Sequence, residues 1–256
     1  MKRLETAVRL ESFGLPLRKA IDEAARLGSG GVVFDAVGDL SPARLSDSGR
    51  RELRHLLRSR NLELAALGCP LRHSLDTAEN QQPRLDQVRQ IMSLAWELGP
   101  RLVLAAAGPL PAEEDAERAA RMRESLLDLG AYGDRVGTRL ALETGLESGE
   151  AMAAWLASLP QGTVGADLVP GNLLQHGFAP EKAARDLAGR IFNVTARDVR
   201  RVSAGRAAQP VPLGAGDIDW LSMLGTLEAV EYRGRVVVPD GAEAGLAFLK
   251  RLGVGA

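Results

Sequence analysis

Cysteine occurs once in this 256-residue chain, as Cys69, which excludes an intrachain disulfide framework and a thiolate metal cluster. Histidine is nearly as scarce: His55, His73 and His176 are the only three, and no pair has the spacing of a zinc site. The lysines are Lys2, Lys19, Lys182 and Lys250. The last three fall in helical patterns and Lys2 is at the terminus, so none ends a strand where a Schiff-base aldolase barrel needs one. The chain contains no nucleophile elbow and no phosphate-loop motif. No stretch approaches the apolar length of a membrane span, and the opening MKRLETAVRLESFG lacks the continuous apolar core of a signal peptide. A formal net charge of −1 gives no electrostatic case for nucleic acid or an acidic membrane surface. The expectation is a cytoplasmic protein whose partner is a small-molecule metabolite, with neither nucleic acid nor membrane involved.

Short apolar runs alternate with longer amphipathic segments. The runs at 7–10, 31–34, 62–67, 102–105, 139–142, 163–167, 191–194 and 235–238 are expected strands. Between them, apolar residues recur at helical spacing. One clear helix passes through Leu85, Val88, Ile91, Met92, Ala95 and Leu98 and stops at Gly99; another is capped by Ser148 and runs toward Pro160. Eight β-then-α units without a linker predict an α/β chain in which residues 1–256 form one (β/α)8 barrel. An open doubly wound sheet competes, but no GxGxxG follows the first strand. In a barrel the chemistry sits at the carboxyl ends of the strands.

Glu143 ends the apolar strand of LALETG and is expected to point into the barrel mouth, as a base, a metal ligand or an acceptor for ligand hydroxyls. Its bland alternative is a structural pair with an arginine. Asp167 shares strand parity with Val169, and its expected role is a hydrogen-bonded polar group inside the barrel. His73 and Arg72 follow the third strand and are candidate ligand-binding residues. His55 is expected to face solvent, and His176 to lie beyond Asn172 in a turn. Arg197 has the parity of Thr195, which aims it at the mouth to pair with an anion or with Glu143; Asp198 is expected to be structural. The glycines of PLGAGDIDW and PDGAEAG are either an amide cradle for phosphate or simple turn chemistry.

Taken in order, LALETG, PGNLLQHGFAPEKAARDLAGRIFNVTARD, VPLGAGDIDW and YRG resemble the xylose isomerase-like barrels, the superfamily of sugar-phosphate isomerases and epimerases. The resemblance implies a mouth built from two glutamates, an aspartate and a histidine around manganese, magnesium, cobalt or zinc, with the glutamates carrying protons between neighbouring carbons. Carried onto this chain, the first glutamate is Glu143. The aspartate position is Val169 before Pro170, the histidine position is Thr195, and the second glutamate position is Pro239. Asp240 and Asp167 are the nearest carboxylates that could rebuild the set with Glu143. The expectation is therefore a degenerate member that binds a sugar-like or hydroxy-acid metabolite through residues such as His73, Arg72, Asn172 and Arg197, with no metal cofactor. The alternative is an active isomerase or epimerase with a relocated or metal-free site using Glu143. A homo-oligomer is compatible with such a barrel, although no interface is legible.

Overall fold

The apolar runs become strands because parallel strands wrapped by helices are buried on both faces and select continuous Val, Leu and Ala. In the computed structural model, which describes residues 4–111, 114–159, 162–201 and 208–255, they are β1 (Glu5–Arg9), β2 (Gly31–Asp35), β3 (Glu63–Cys69), β4 (Leu102–Ala105), β5 (Arg139–Glu143), β6 (Val164–Leu168) and β7 (Ile191–Thr195). Next come the short β8 (Asp198–Arg200) and β9 (Gln209–Val211), then β10 (Arg235–Val238). Every strand but β8 and β9 joins one closed barrel in the order β1-β10-β7-β6-β5-β4-β3-β2, and every pairing is parallel. The fold is a single (β/α)8 barrel of the expected kind.

Around it lie α1 (Leu17–Arg26), α2 (Asp47–Ser59), α3 (Gln81–Leu98), α4 (Ala116–Val136), α5 (Gly149–Ala157), α6 (Pro170–Gln175), α7 (Pro180–Asp186), α8 (Trp220–Ala229) and α9 (Ala242–Arg251). Cap chemistry sets several ends. Ser148 Oγ accepts from the Ala151 amide at the start of α5, and Gly99 closes α3 in the left-handed conformation. Pro160, the expected stop for α5, lies outside the described residues. The simple alternation breaks twice: α6 and α7 both separate β6 from β7, and β8 with β9 form an antiparallel ribbon before α8.

Two apolar clusters divide the interior. The larger one lies between strands and helices and contains Phe34, Leu67, Ile91, Met92, Leu126 and Leu140. The smaller one fills the barrel with Ala7, Val33, Ala66, Leu102, Leu104, Ala141 and Val237. That second set fixes side-chain parity. Two residues beyond Ala7, Val33, Ala66 and Ala141 stand Arg9, Asp35, Gly68 and Glu143, which therefore face the axis at the carboxyl end. The same step beyond Val237 reaches Pro239, which lies past the end of β10 and is buried.

Candidate active site

The barrel mouth has two polar walls. On one, Arg9 Nη1 donates to Asp35 Oδ1, with both side chains about one-fifth exposed, at 20% and 23%. Asp35 pairs in register with Gly68, where a Cβ would overlap Asp35 Oδ1 and lie 3.1 Å from Arg9 Nη1. Glycine at position 68 therefore makes room for the ion pair. Glu11 reinforces this wall by accepting from the Asp35 amide at 2.7 Å.

The opposite wall is made of carboxylates. Glu143 and Asp167 are register partners on β5 and β6. Asp167 is wholly buried and accepts from Asn193 Nδ2 at 2.8 Å and from Thr195 Oγ1 at 2.8 and 3.0 Å. Burial pushes the Asp167 carboxyl up to about 7. The Glu143 charge pushes the same way, while the two hydrogen bonds and the positive charge of Arg9 pull back. Glu143 is half-buried and, among the described residues, accepts no hydrogen bond.

Of the other positions singled out in the sequence, Thr195 lies inside the barrel with its hydroxyl turned onto Asp167. Val169 is buried at the entry to α6, where its amide donates to Thr144 Oγ1 at 2.9 Å. Asp240 is exposed just past the strand end. Among the described residues, no three His, Cys, Asp or Glu side chains form a group able to hold a metal ion. The proposed set of Glu143, Asp167 and Asp240 is thus not assembled.

Arg197 departs from its expected pairing. It donates to Asn172 Oδ1 at 3.1 Å rather than to Glu143, because the Arg197 amide turns back onto the Thr195 carbonyl and ends the strand alternation. Gly145, at φ +130°, lets α6 close on β5, since a Cβ there would strike Asn172. His73 and Arg72 line a separate cleft of about 540 Å³ with Val37 and Arg84, and none of the mouth carboxylates lines it. His55 is exposed on α2 and His176 is exposed at the end of α6.

The glycine-rich stretch after β9 is not an open amide cradle. Asp198, expected to be structural, is buried and accepts from the amides of Gly214 at 2.9 Å, Gly216 at 3.2 Å and Ile218 at 3.4 Å, and from Trp220 Nε1 at 3.0 Å. Those amides serve one internal carboxylate, so the turn reading of PLGAGDIDW holds and the phosphate reading fails.

Arg9, Asp35 and Glu147 were not picked out by the sequence. Glu147, in the β5–α5 loop, is raised to about 7 by burial, with the Leu110 amide and His176 pulling it back. Arg9 and Asp35 carry the same signal as Glu143: a charged residue ending an apolar strand.

Residues 21–252 match the family model described as xylose isomerase-like TIM barrel. Among solved structures, the chain resembles a xylose isomerase domain protein from Planctomyces limnophilus, with 18% identity and a TM-score of 0.86 over 99% of this chain and 97% of that one. It resembles a D-allulose 3-epimerase from Methylomonas sp. with 19% identity and a TM-score of 0.75, over 98% of this chain and 99% of that one. A probable 3-DHS dehydratase from Bacillus anthracis is similar at 14% identity and a TM-score of 0.75, over 96% of this chain and 99% of that one. No curated protein matches the chain in sequence. At these identities the structural likeness establishes the fold alone.

Proposed function

Since the chain belongs to the xylose isomerase-like TIM barrel family, we propose that it is a degenerate member, binding a sugar-like or hydroxy-acid metabolite in the barrel mouth without divalent-metal chemistry. A hard cation needs several oxygen or imidazole donors converging on one point. At the positions where the resemblance expects them, Val169 and Pro239 are buried hydrocarbon, and the Thr195 hydroxyl is committed to Asp167. This donor set does not fit a divalent ion. The observation that carries the reading is the pairing of Glu143 with a fully buried Asp167 that is held by Thr195 and Asn193.

What remains suits binding. Glu143 accepts hydrogen bonds from hydroxyl groups, and Arg9 donates to carbonyl or carboxylate oxygen. Elemental analysis of the purified protein, before and after incubation with manganese, magnesium, cobalt or zinc, tests the reading. The expected result is far less than one ion per chain and an unchanged melting temperature. Stoichiometric metal that resists dialysis would overturn it.

A second reading is favoured by the Glu143 carboxylate, which accepts no hydrogen bond among the described residues: an isomerase or epimerase that works without metal, with Glu143 as the base. It predicts ketose turnover that a chelator leaves intact and that Glu143→Gln abolishes. Binding alone predicts no turnover.

A further inference from the structure

The cleft of about 540 Å³ that holds Arg72 and His73 carries positive charge with no negative charge to meet it. Val37, two residues beyond Asp35, and Pro70, two beyond Gly68, line it and place it beside the mouth. Arg72, His73 and Arg84 also line it, and no aspartate or glutamate does. Other arginine-lined clefts hold their own acids: Asp86 and Glu97 beside Arg50 and Arg89, and Glu5 and Glu63 beside Arg235. Here the acids close in sequence are committed elsewhere. Asp39 pairs with Arg44, Asp76 with Arg118 and Asp86 with Arg89.

Arg84 sharpens the imbalance. It is only 8% exposed, and its Nη1 and Nη2 donate to the Thr77 and Glu79 carbonyls. Among the described residues it makes no ion pair. Carbonyl dipoles satisfy the donors but leave a buried unit charge, and buried charges are ordinarily paired. Asn80, the cap residue of α3, lines the same cleft and makes no side-chain cap bond, so the positive end of that helix is uncovered there. The remaining wall is apolar, built from Val37, Pro70, Leu71 and Pro83, and Val37 is exposed.

We propose that this cleft is a second binding site, distinct from the mouth, for a small organic anion: a carboxylate or phosphate head on an apolar body. Arg72 supplies N–H donors to the head, and Arg84 with the start of α3 supplies fixed positive charge. The body lies against Val37, Leu71 and Pro83. The inference does not depend on the metal-free reading of the mouth.

Benzoate and phenyl phosphate carry the two heads on one ring, and benzyl alcohol carries the ring without the charge. Titrations of wild type and Arg72→Gln, followed by amide NMR, test the site. Both anions should bind wild type in the millimolar range, the strength open to ligands of that size, and shift the amides of 71–73 and 80–82. The tighter of the two identifies the head. Arg72 is exposed, so Arg72→Gln should fold normally and weaken both anions about tenfold, the scale of one charge-assisted hydrogen bond. Benzyl alcohol should bind wild type no better than benzoate binds the variant. Failure of both anions to saturate in the millimolar range would overturn the proposal. So would equal affinity for benzoate and benzyl alcohol, indifference to Arg72→Gln, or shifts confined to the mouth around Glu143.

Discussion

The two ends of the barrel both carry charge, but they dispose of it differently. At the amino-terminal floor, Arg235 donates to Glu5 and to Glu63, each at 2.6 Å, tying β10 to β1 and β3. Arg139 stacks on Phe192 with its guanidinium 4.6 Å from the ring centroid. Tyr232 donates to the Arg235 carbonyl at 2.7 Å, and a Cβ at Gly234 would run into its ring, which accounts for the glycine of YRG as floor packing. At the mouth, Arg9 pairs with Asp35 on one wall, while on the other Glu143 accepts no hydrogen bond among the described residues and the buried Asp167 carboxyl is pushed up to about 7. The floor is electrostatically closed and the mouth is not. Residual imbalance at the carboxyl end is what a binding site needs, whereas satisfied pairs at the opposite end serve stability.

The largest expected break in this contrast is Asp198→Ala. It strips the acceptor from several buried amides and the Trp220 indole above the mouth and should cost about 3 kcal/mol or more, because each buried donor left unsatisfied costs about 1–3 kcal/mol. Chemical denaturation would read it as a lower midpoint with an unchanged slope. At the floor, Arg235→Met leaves two glutamates without their bridge. Both are substantially exposed, so the loss should be about 1–2 kcal/mol, and the response of the mouth to Mn²⁺ should not change. If that response does change, the two ends are coupled and the contrast fails.

Glu143→Gln sharpens the description of the mouth itself. It removes one of the two influences that raise Asp167, so the Asp167 titration, followed by carboxyl-carbon NMR, should move down. No movement would mean that burial alone sets it. The smallest expected effect is at Glu147. Its native carboxyl is raised from 4.5 to about 7, so the folded chain holds a proton that the unfolded chain has released. That contribution is complete below pH 4.5 and is lost as pH rises through 7. Glu147→Gln should therefore match the wild type near pH 4 and gain up to about 1 kcal/mol by pH 8, after allowance for solvent screening.

The barrel was legible because buried parallel strands are written as apolar runs. Seven of those runs predicted strands to within two residues of the observed ends at both termini, and the first did so with its register displaced. That displacement hid half of the mouth. Reading the first strand as 7–10 ends it on Leu10 and makes Arg9 an interior residue of the strand, whereas β1 ends on Arg9 and Leu10 begins a 3-10 turn. Stopping the second strand at Phe34 likewise left Asp35 in a loop. A boundary error of one residue is harmless for a fold and decisive for a site, because side chains alternate with period two. Asp167 was legible as an internal hydrogen-bonded acid, since its strand neighbours are apolar. Arg197 was not, because parity lapses at the tight turn after Thr195. The partnership of Glu147 with the β4–α4 loop depends on two loops meeting, which no local pattern encodes.

Crystals of the wild-type chain soaked in Mn²⁺ and measured at the manganese absorption edge would reveal whether the barrel mouth holds a divalent ion. The expected density has the Arg9 guanidinium seated on Asp35, and no anomalous peak between Glu143 and Asp167. A strong peak there, surrounded by protein oxygens at manganese distances, would contradict it.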